Sequence, residues 1–75
     1  MDNQTRAQWA DSALSAFATE CGMRDAGEDD ETIMGDLLAD LRHLADARGI
    51  DFDKLMRRAN MNYEAEIQEE AEGHD

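Results

Sequence analysis

The fold is decided by residues 31–48, ETIMGDLLADLRHLADAR. When this stretch is placed at 100° per residue, seven apolar side chains fall within an arc of about 140°, the pattern of an amphipathic helix. Gly49 ends the predicted helix, and Asp29 or Asp30 is expected to cap its first turn. The seven apolar residues are Ile33, Met34, Leu37, Leu38, Leu41, Leu44 and Ala45.

Two further helices flank this one and predict an all-α fold. The chain has no proline, and it is rich in alanine, leucine and glutamate, which favour helix. The predicted helices span about residues 5–21, 31–48 and 52–70, with an acidic linker over 23–30 and a disordered tail over 71–75. Because about three residues join the second and third helices, we expect these two to form an antiparallel hairpin. The first helix covers it, giving one small three-helix bundle over residues 1–75.

The first helix is predicted to start at Thr5 and to end at Gly22 in a left-handed cap. Its other apolar residues are mostly alanines, so Trp9 and Phe17 should supply most of its buried area. The same periodicity predicts that Cys21 is a small core residue.

The third helix is predicted to start with Asp51 as its N-cap, while Ile50 and Leu55 form a hydrophobic staple. A core of this size gives only marginal stability to the fold, and self-association would bury more apolar surface. Met61, on the polar side of the helix, gives weak support for an interface between copies. The apolar stripe of the third helix consists of Phe52, Leu55, Met56, Ala59, Tyr63 and Ile67.

Composition excludes several classes of function. Seven Lys and Arg against 19 Asp and Glu give a net charge of −12, which disfavours direct nucleic-acid binding, even by Lys54, Arg57 and Arg58. The sequence has no apolar run near the roughly 20 residues that span a bilayer, and no signal-peptide pattern. A single cysteine excludes an internal disulfide and favours the reducing cytoplasm.

Carboxylates cluster in two places along the chain. The favoured interpretation of these clusters is that the protein binds a partner and has no catalytic activity. Such clusters compete with phosphates for a basic surface of a nucleic-acid-handling partner. In size and charge, though in no motif, the chain resembles anti-CRISPR and anti-restriction inhibitors of phages and other mobile elements. The alternative is that the charge only maintains solubility. The predicted contact residues are Asp25, Glu28, Asp29, Asp30 and Glu31, and Glu64, Glu66, Glu69 and Glu70.

Asp36, Asp40 and His43 share one face of the second helix, at a spacing that could bind a divalent metal. No further ligand is identifiable on another helix, so we interpret this set as a solvated helix face and predict no metal and no cofactor. Cys21 lies near a helix C-terminus, where the dipole opposes the thiolate, and no other nucleophile motif is present. We therefore predict no catalytic residue.

One family resemblance offers a different function. The residues that carry it are Gly35-Asp36-Leu37-Leu38, Gly49-Ile50-Asp51, Arg57-Arg58-Ala59-Asn60 and Tyr63-Glu64. This pattern, over about 30 residues, resembles the last two helices of MazG-like all-α nucleoside triphosphate pyrophosphohydrolases.

The resemblance implies hydrolysis of nucleotides with Mg²⁺ held by ExxE and ExxD pairs. Asp36 matches the final Asp of ExxD, but Ile33 stands where the Glu should be. Under this alternative, Asp36 and Asp40 hold Mg²⁺, and Glu28 and Glu31 assist from a neighbouring subunit.

Overall fold

A computed structural model describes residues 2–23 and 27–72. Three helices occupy most of this part: α1 (Asn3–Glu20), α2 (Asp30–Ala47) and α3 (Phe52–Glu72). The described residues contain no strand. The all-α prediction is therefore confirmed, with α3 continuing two residues beyond the predicted end. The predicted tail over 73–75 lies outside the described residues.

Each helix starts at an aspartate that accepts a hydrogen bond from an amide of the first turn. The prediction for α1 was wrong: Asp2, not Thr5, is the N-cap, and Thr5 N–H donates to Asp2 Oδ1 over 2.7 Å. The predicted caps of α2 and α3 are confirmed. Thr32 N–H donates to Asp29 Oδ1 over 2.9 Å, and the Lys54 amide donates to Asp51 over 3.2 Å. An aspartate side chain in this position satisfies an otherwise unpaired N–H group.

Helices α1 and α2 end in the same way, at a glycine with a positive φ angle. Gly22 has a φ angle of 74°, as its predicted left-handed cap requires, and Gly49, which was predicted to end α2, has a φ angle of 68°. In α1 the next amide, of Met23, donates to the Ala18 carbonyl over 2.9 Å, and in α2 the Ile50 amide donates to the Ala45 carbonyl over 2.8 Å. These bonds reverse the chain tightly after each helix.

The core lies where the C-terminal half of α1 meets the N-terminal half of α2. Ile33 and Ala18 are fully buried there, and Leu14 is 7% exposed. Three half-buried apolar side chains pack around this cluster, namely Phe17, Met23 and Leu37. Ala45 is buried elsewhere on α2. The core is small for a chain of this length.

Two predictions about the core were wrong. Trp9 is 56% exposed because it lies about 140° around α1 from Leu14, the residue that faces α2. Cys21 is exposed, since it is the C-cap residue at which the chain leaves the helix. Its thiol donates to the Phe17 carbonyl over 3.1 Å.

Helix α1 bridges the other two helices. Its first residue, Asn3, bonds to the end of α3, whereas Leu14 packs against α2. These contacts lie roughly 16 Å apart at 1.5 Å per residue, more than the 8–10 Å between the axes of packed helices. Helix α1 thus holds the start of α2 away from the end of α3. That α2 and α3 run antiparallel along their whole length stays a prediction.

The resulting molecule is flat. Its principal extents are 44 × 31 × 15 Å, and its radius of gyration is 14.7 Å. A compact chain of 75 residues has a radius of gyration of about 11 Å. Much of the apolar surface of α2 and α3 therefore has no second layer of helices to cover it. None of the described helices has the length and apolar character needed to cross a bilayer.

We expect Ile33→Ala to lower the free energy of unfolding by about 2–4 kcal/mol, because it leaves a cavity in a core with few other members. Trp9→Ala removes a larger side chain but should cost under about 1 kcal/mol, since Trp9 is mostly in solvent. Urea denaturation followed by circular dichroism measures both. Equal losses for the two variants would contradict this description of the core.

Candidate partner-binding surface

The first predicted carboxylate cluster surrounds the start of α2. Glu28, Asp29, Asp30 and Glu31 are all exposed, and Asp25 lies outside the described residues. Among the described residues, no ion pair joins these side chains to a cation. Asp30 and Glu31 also stand in the first turn of α2, where negative charge complements the helix dipole.

Asp29 differs from its neighbours because it is already engaged within the chain. Hydrogen bonds from the Thr32 side chain and backbone lower the pKa of Asp29 below its ordinary value of 3.8. The backbone bond from Thr5, followed by the side-chain bond, lowers the pKa of the other helix-capping carboxylate, Asp2. Hydrogen bonds of this kind favour the charged form of the carboxyl group. Asp29 therefore has a structural role at the start of α2.

The second predicted cluster, on α3, divides into two pairs. Glu64 and Glu69 are exposed, whereas Glu66 and Glu70 are half-buried against α1. The Asn3 backbone N–H donates to Glu70 Oε2 over 2.6 Å. Within the described residues, Glu66 and Glu70 therefore have intramolecular roles, while Glu64 and Glu69 face solvent.

Glu66 holds α1 through both its side chain and its backbone. Arg6 Nε lies 3.6 Å from Glu66 Oε2, and the Asn3 side-chain amide donates to the Glu66 carbonyl over 3.3 Å. Arg6 also donates to Asn3 Oδ1 over 2.8 Å. The sequence contained one signal for this role: Glu66 and Glu70 continue the apolar stripe of α3 at helical spacing from Tyr63.

The charges are divided unequally along the chain. Residues 41–60, here called the cationic segment, hold five of the seven Lys and Arg and three of the 19 Asp and Glu, a net charge of +2. The rest of the chain holds two cations and sixteen carboxylates, a net charge of −14. The cationic segment covers the end of α2 and the start of α3. The carboxylates are therefore concentrated away from the turn between these helices.

The cationic segment also borders an apolar depression between α2 and α3, here called the α2–α3 groove. Its volume is about 280 Å³, and among its lining residues Arg48 alone is charged. Arg42 lies nearby, with its guanidinium carbon 5.6 Å from the centre of the Phe52 ring. The large aliphatic side chains of the groove are Leu38, Leu41, Leu44, Ile50, Leu55 and Met56. Periodicity predicted that these residues face inward, but in this structure they remain in part exposed.

Within residues 2–23 and 27–72, the structure brings no further ligand to the residues of the metal hypothesis. Asp36, Asp40 and His43 are exposed on α2, and Glu28 and Glu31 lie at its start. In the described part of the chain, no group of three or more His, Cys, Asp or Glu side chains could hold a metal ion. The pyrophosphohydrolase alternative stays a prediction from the sequence resemblance, and it depends on carboxylates from a second subunit.

Comparisons with known proteins leave the family open. No protein-family model, curated protein or solved structure matches this chain.

The lowered pKa of Asp29 predicts a pH dependence that one substitution can isolate. A carboxylate with a depressed folded-state pKa contributes stability above pH 3.8, and this contribution is lost as the pH falls through the folded-state pKa. Asparagine caps a helix equally well and does not titrate. We therefore expect Asp29→Asn to lose less thermal stability than the wild type between about pH 5 and pH 2.

The control is Asp36→Asn, which neutralises an exposed carboxylate on the same helix without touching the cap. It should follow the wild-type pH profile apart from a uniform offset. Thermal melts recorded by circular dichroism compare the three proteins. If Asp29→Asn and the wild type lose the same stability, the charge on Asp29 does not contribute to the cap.

Proposed function

We propose that this protein is a small acidic interaction protein without catalytic activity, which binds a basic surface of a nucleic-acid-handling protein. In this role it acts as an inhibitor of the anti-restriction or anti-CRISPR type, encoded by a phage or another mobile element. The observation that carries the proposal is the unequal distribution of charge: −14 outside the cationic segment. Glu28, Asp30 and Glu31 are exposed within this acidic part.

The arrangement of these carboxylates suits recognition of a surface that binds phosphates. Lys and Arg side chains lining a nucleic-acid groove attract any array of anions, and protein carboxylates compete with the phosphate backbone for them. Complementary charge also accelerates association and selects against acidic partners. Glu64 and Glu69 add exposed charge on α3. By contrast, Glu66 and Glu70 support the proposal less, because they hold α1 in place.

A helical scaffold gives this acidic surface a defined shape. The carboxylates at the start of α2 are fixed relative to the core because Asp29 caps the helix and Ile33 is fully buried one turn later. A rigid array avoids part of the ordering cost that a disordered acidic tail would meet on binding. The proposal therefore predicts that binding depends on the fold and on these particular carboxylates, beyond total charge.

The test is affinity capture from a lysate of the host cell. Immobilised wild-type protein should retain basic nucleic-acid-binding proteins at about 0.05 M salt and lose them near 1 M, where the screening length falls to about 3 Å. The triple variant Glu28→Gln, Asp30→Asn, Glu31→Gln should lose most of this capture at low salt. The matched control is Asp36→Asn, Asp40→Asn, Asp46→Asn, which removes the same charge from other positions on α2.

The two triple variants separate specific recognition from general charge. If the control variant captures the same proteins as the wild type while the first variant does not, the carboxylates at the start of α2 carry the interaction. If the two variants lose capture equally, or if capture by the wild type does not depend on the salt concentration, the proposed surface is wrong. Circular dichroism of both variants checks that the helices are intact.

A further inference from the structure

The proposed function does not use the α2–α3 groove. Its leucine, isoleucine and methionine side chains retain between 36% and 49% of their accessible surface. A second depression, of about 360 Å³, lies between α1 and α2 and shares Leu38 with the groove. Because Leu38 lines both depressions, their apolar side chains adjoin each other along α2.

The exposed area is larger than a monomer of this mass normally shows. The chain exposes 6174 Å², whereas a folded monomer of 8.4 kDa exposes about 4,600 Å². The excess of about 1,600 Å² falls in the range that one subunit buries in a stable dimer, from about 800 to 2,500 Å². The core of Leu14, Ala18 and Ile33 is correspondingly small.

The charge pattern indicates which molecule covers this face. The cationic segment borders the groove at one end of α2 and α3, and the acidic residues lie toward the other ends of both helices. A twofold axis perpendicular to the helices would place the cationic segment of each chain over the acidic part of the other. A parallel arrangement would instead bring like charges together.

We infer that the α2–α3 groove is part of the interface of a homodimer in which two copies of this chain pack antiparallel, with the twofold axis near Leu38, which lines both depressions. Leu41 and Leu44 of each α2 then pack against Met34 in the α1–α2 depression of the partner, so that each cationic segment lies over the acidic part of the other chain. An isologous interface of this kind needs no further partner, because the same patch supplies both the apolar surface and the opposite charges. This inference does not rest on the proposed function.

The first experiment is sedimentation equilibrium of the full chain from about 1 µM to 200 µM, since association depends on concentration by mass action. The inference predicts a mass of twice 8.4 kDa at the higher concentrations. A chain that remains at 8.4 kDa throughout this range would overturn it.

Two variants test whether the dimer uses this face. Leu41→Glu should raise the dimer dissociation constant at least about 30-fold, because it places a carboxylate in a buried apolar contact. Ala39→Glu adds the same charge to an exposed position of α2 outside the groove and should leave the dissociation constant within about 3-fold. Circular dichroism confirms that each variant is helical. A folded Leu41→Glu variant that dimerises as the wild type does would contradict the proposed interface.

The orientation is tested by spin-label distances in a Cys21→Ser background, which removes the exposed native thiol. Labels are placed at Ala47→Cys, near the turn, and at Glu31→Cys, near the start of α2. In an antiparallel dimer, a mixed pair with one label of each kind is closer than the pair of labels at position 47. The reverse order of distances would show parallel packing and overturn the inference.

Discussion

The contact between α1 and α2 is the constraint on which the rest of the structure depends. Ile33 is buried together with Leu14 and Ala18, and the left-handed turn at Gly22 directs Met23 onto the same cluster. The other end of α1 is fixed on α3 through Asn3. With both ends held, α1 spans the gap between the two helices and cannot also cover the groove near their turn. A small core and a flat molecule follow from this geometry.

The same geometry separates two surfaces with different properties. Near the turn, the cationic segment borders apolar side chains that gain stability when they leave water. Toward the other ends of the helices, carboxylates such as Glu31 and Glu64 face solvent and favour contact with basic groups.

Local signals predicted the helices well because each depends on a few neighbouring residues. Asp29 and Asp51 act as caps, and Gly49 ends α2, for reasons that a short stretch of sequence contains. Predictions that depend on which helix packs where were less successful. The apolar residues of α1 form a broad face, and the helical spacing of Trp9 with Phe17 predicted that Trp9 is buried, but Leu14 and Ala18 are the residues that α2 covers. The tertiary role of Glu66 could not be read from charge clustering, since it depends on the position of Arg6 in space.

Hydrogen exchange of the protein at a dilution where the chains are separate tests the central claim most directly. The account predicts that the slowest backbone amides lie around residues 14–18 and 33–37, where α1 and α2 enclose the core. Amides of residues 52–60, beside the exposed groove, should exchange faster. If the amides beside the groove are the most protected in the separated chain, then α2 and α3 form the true core and this description of the fold is wrong.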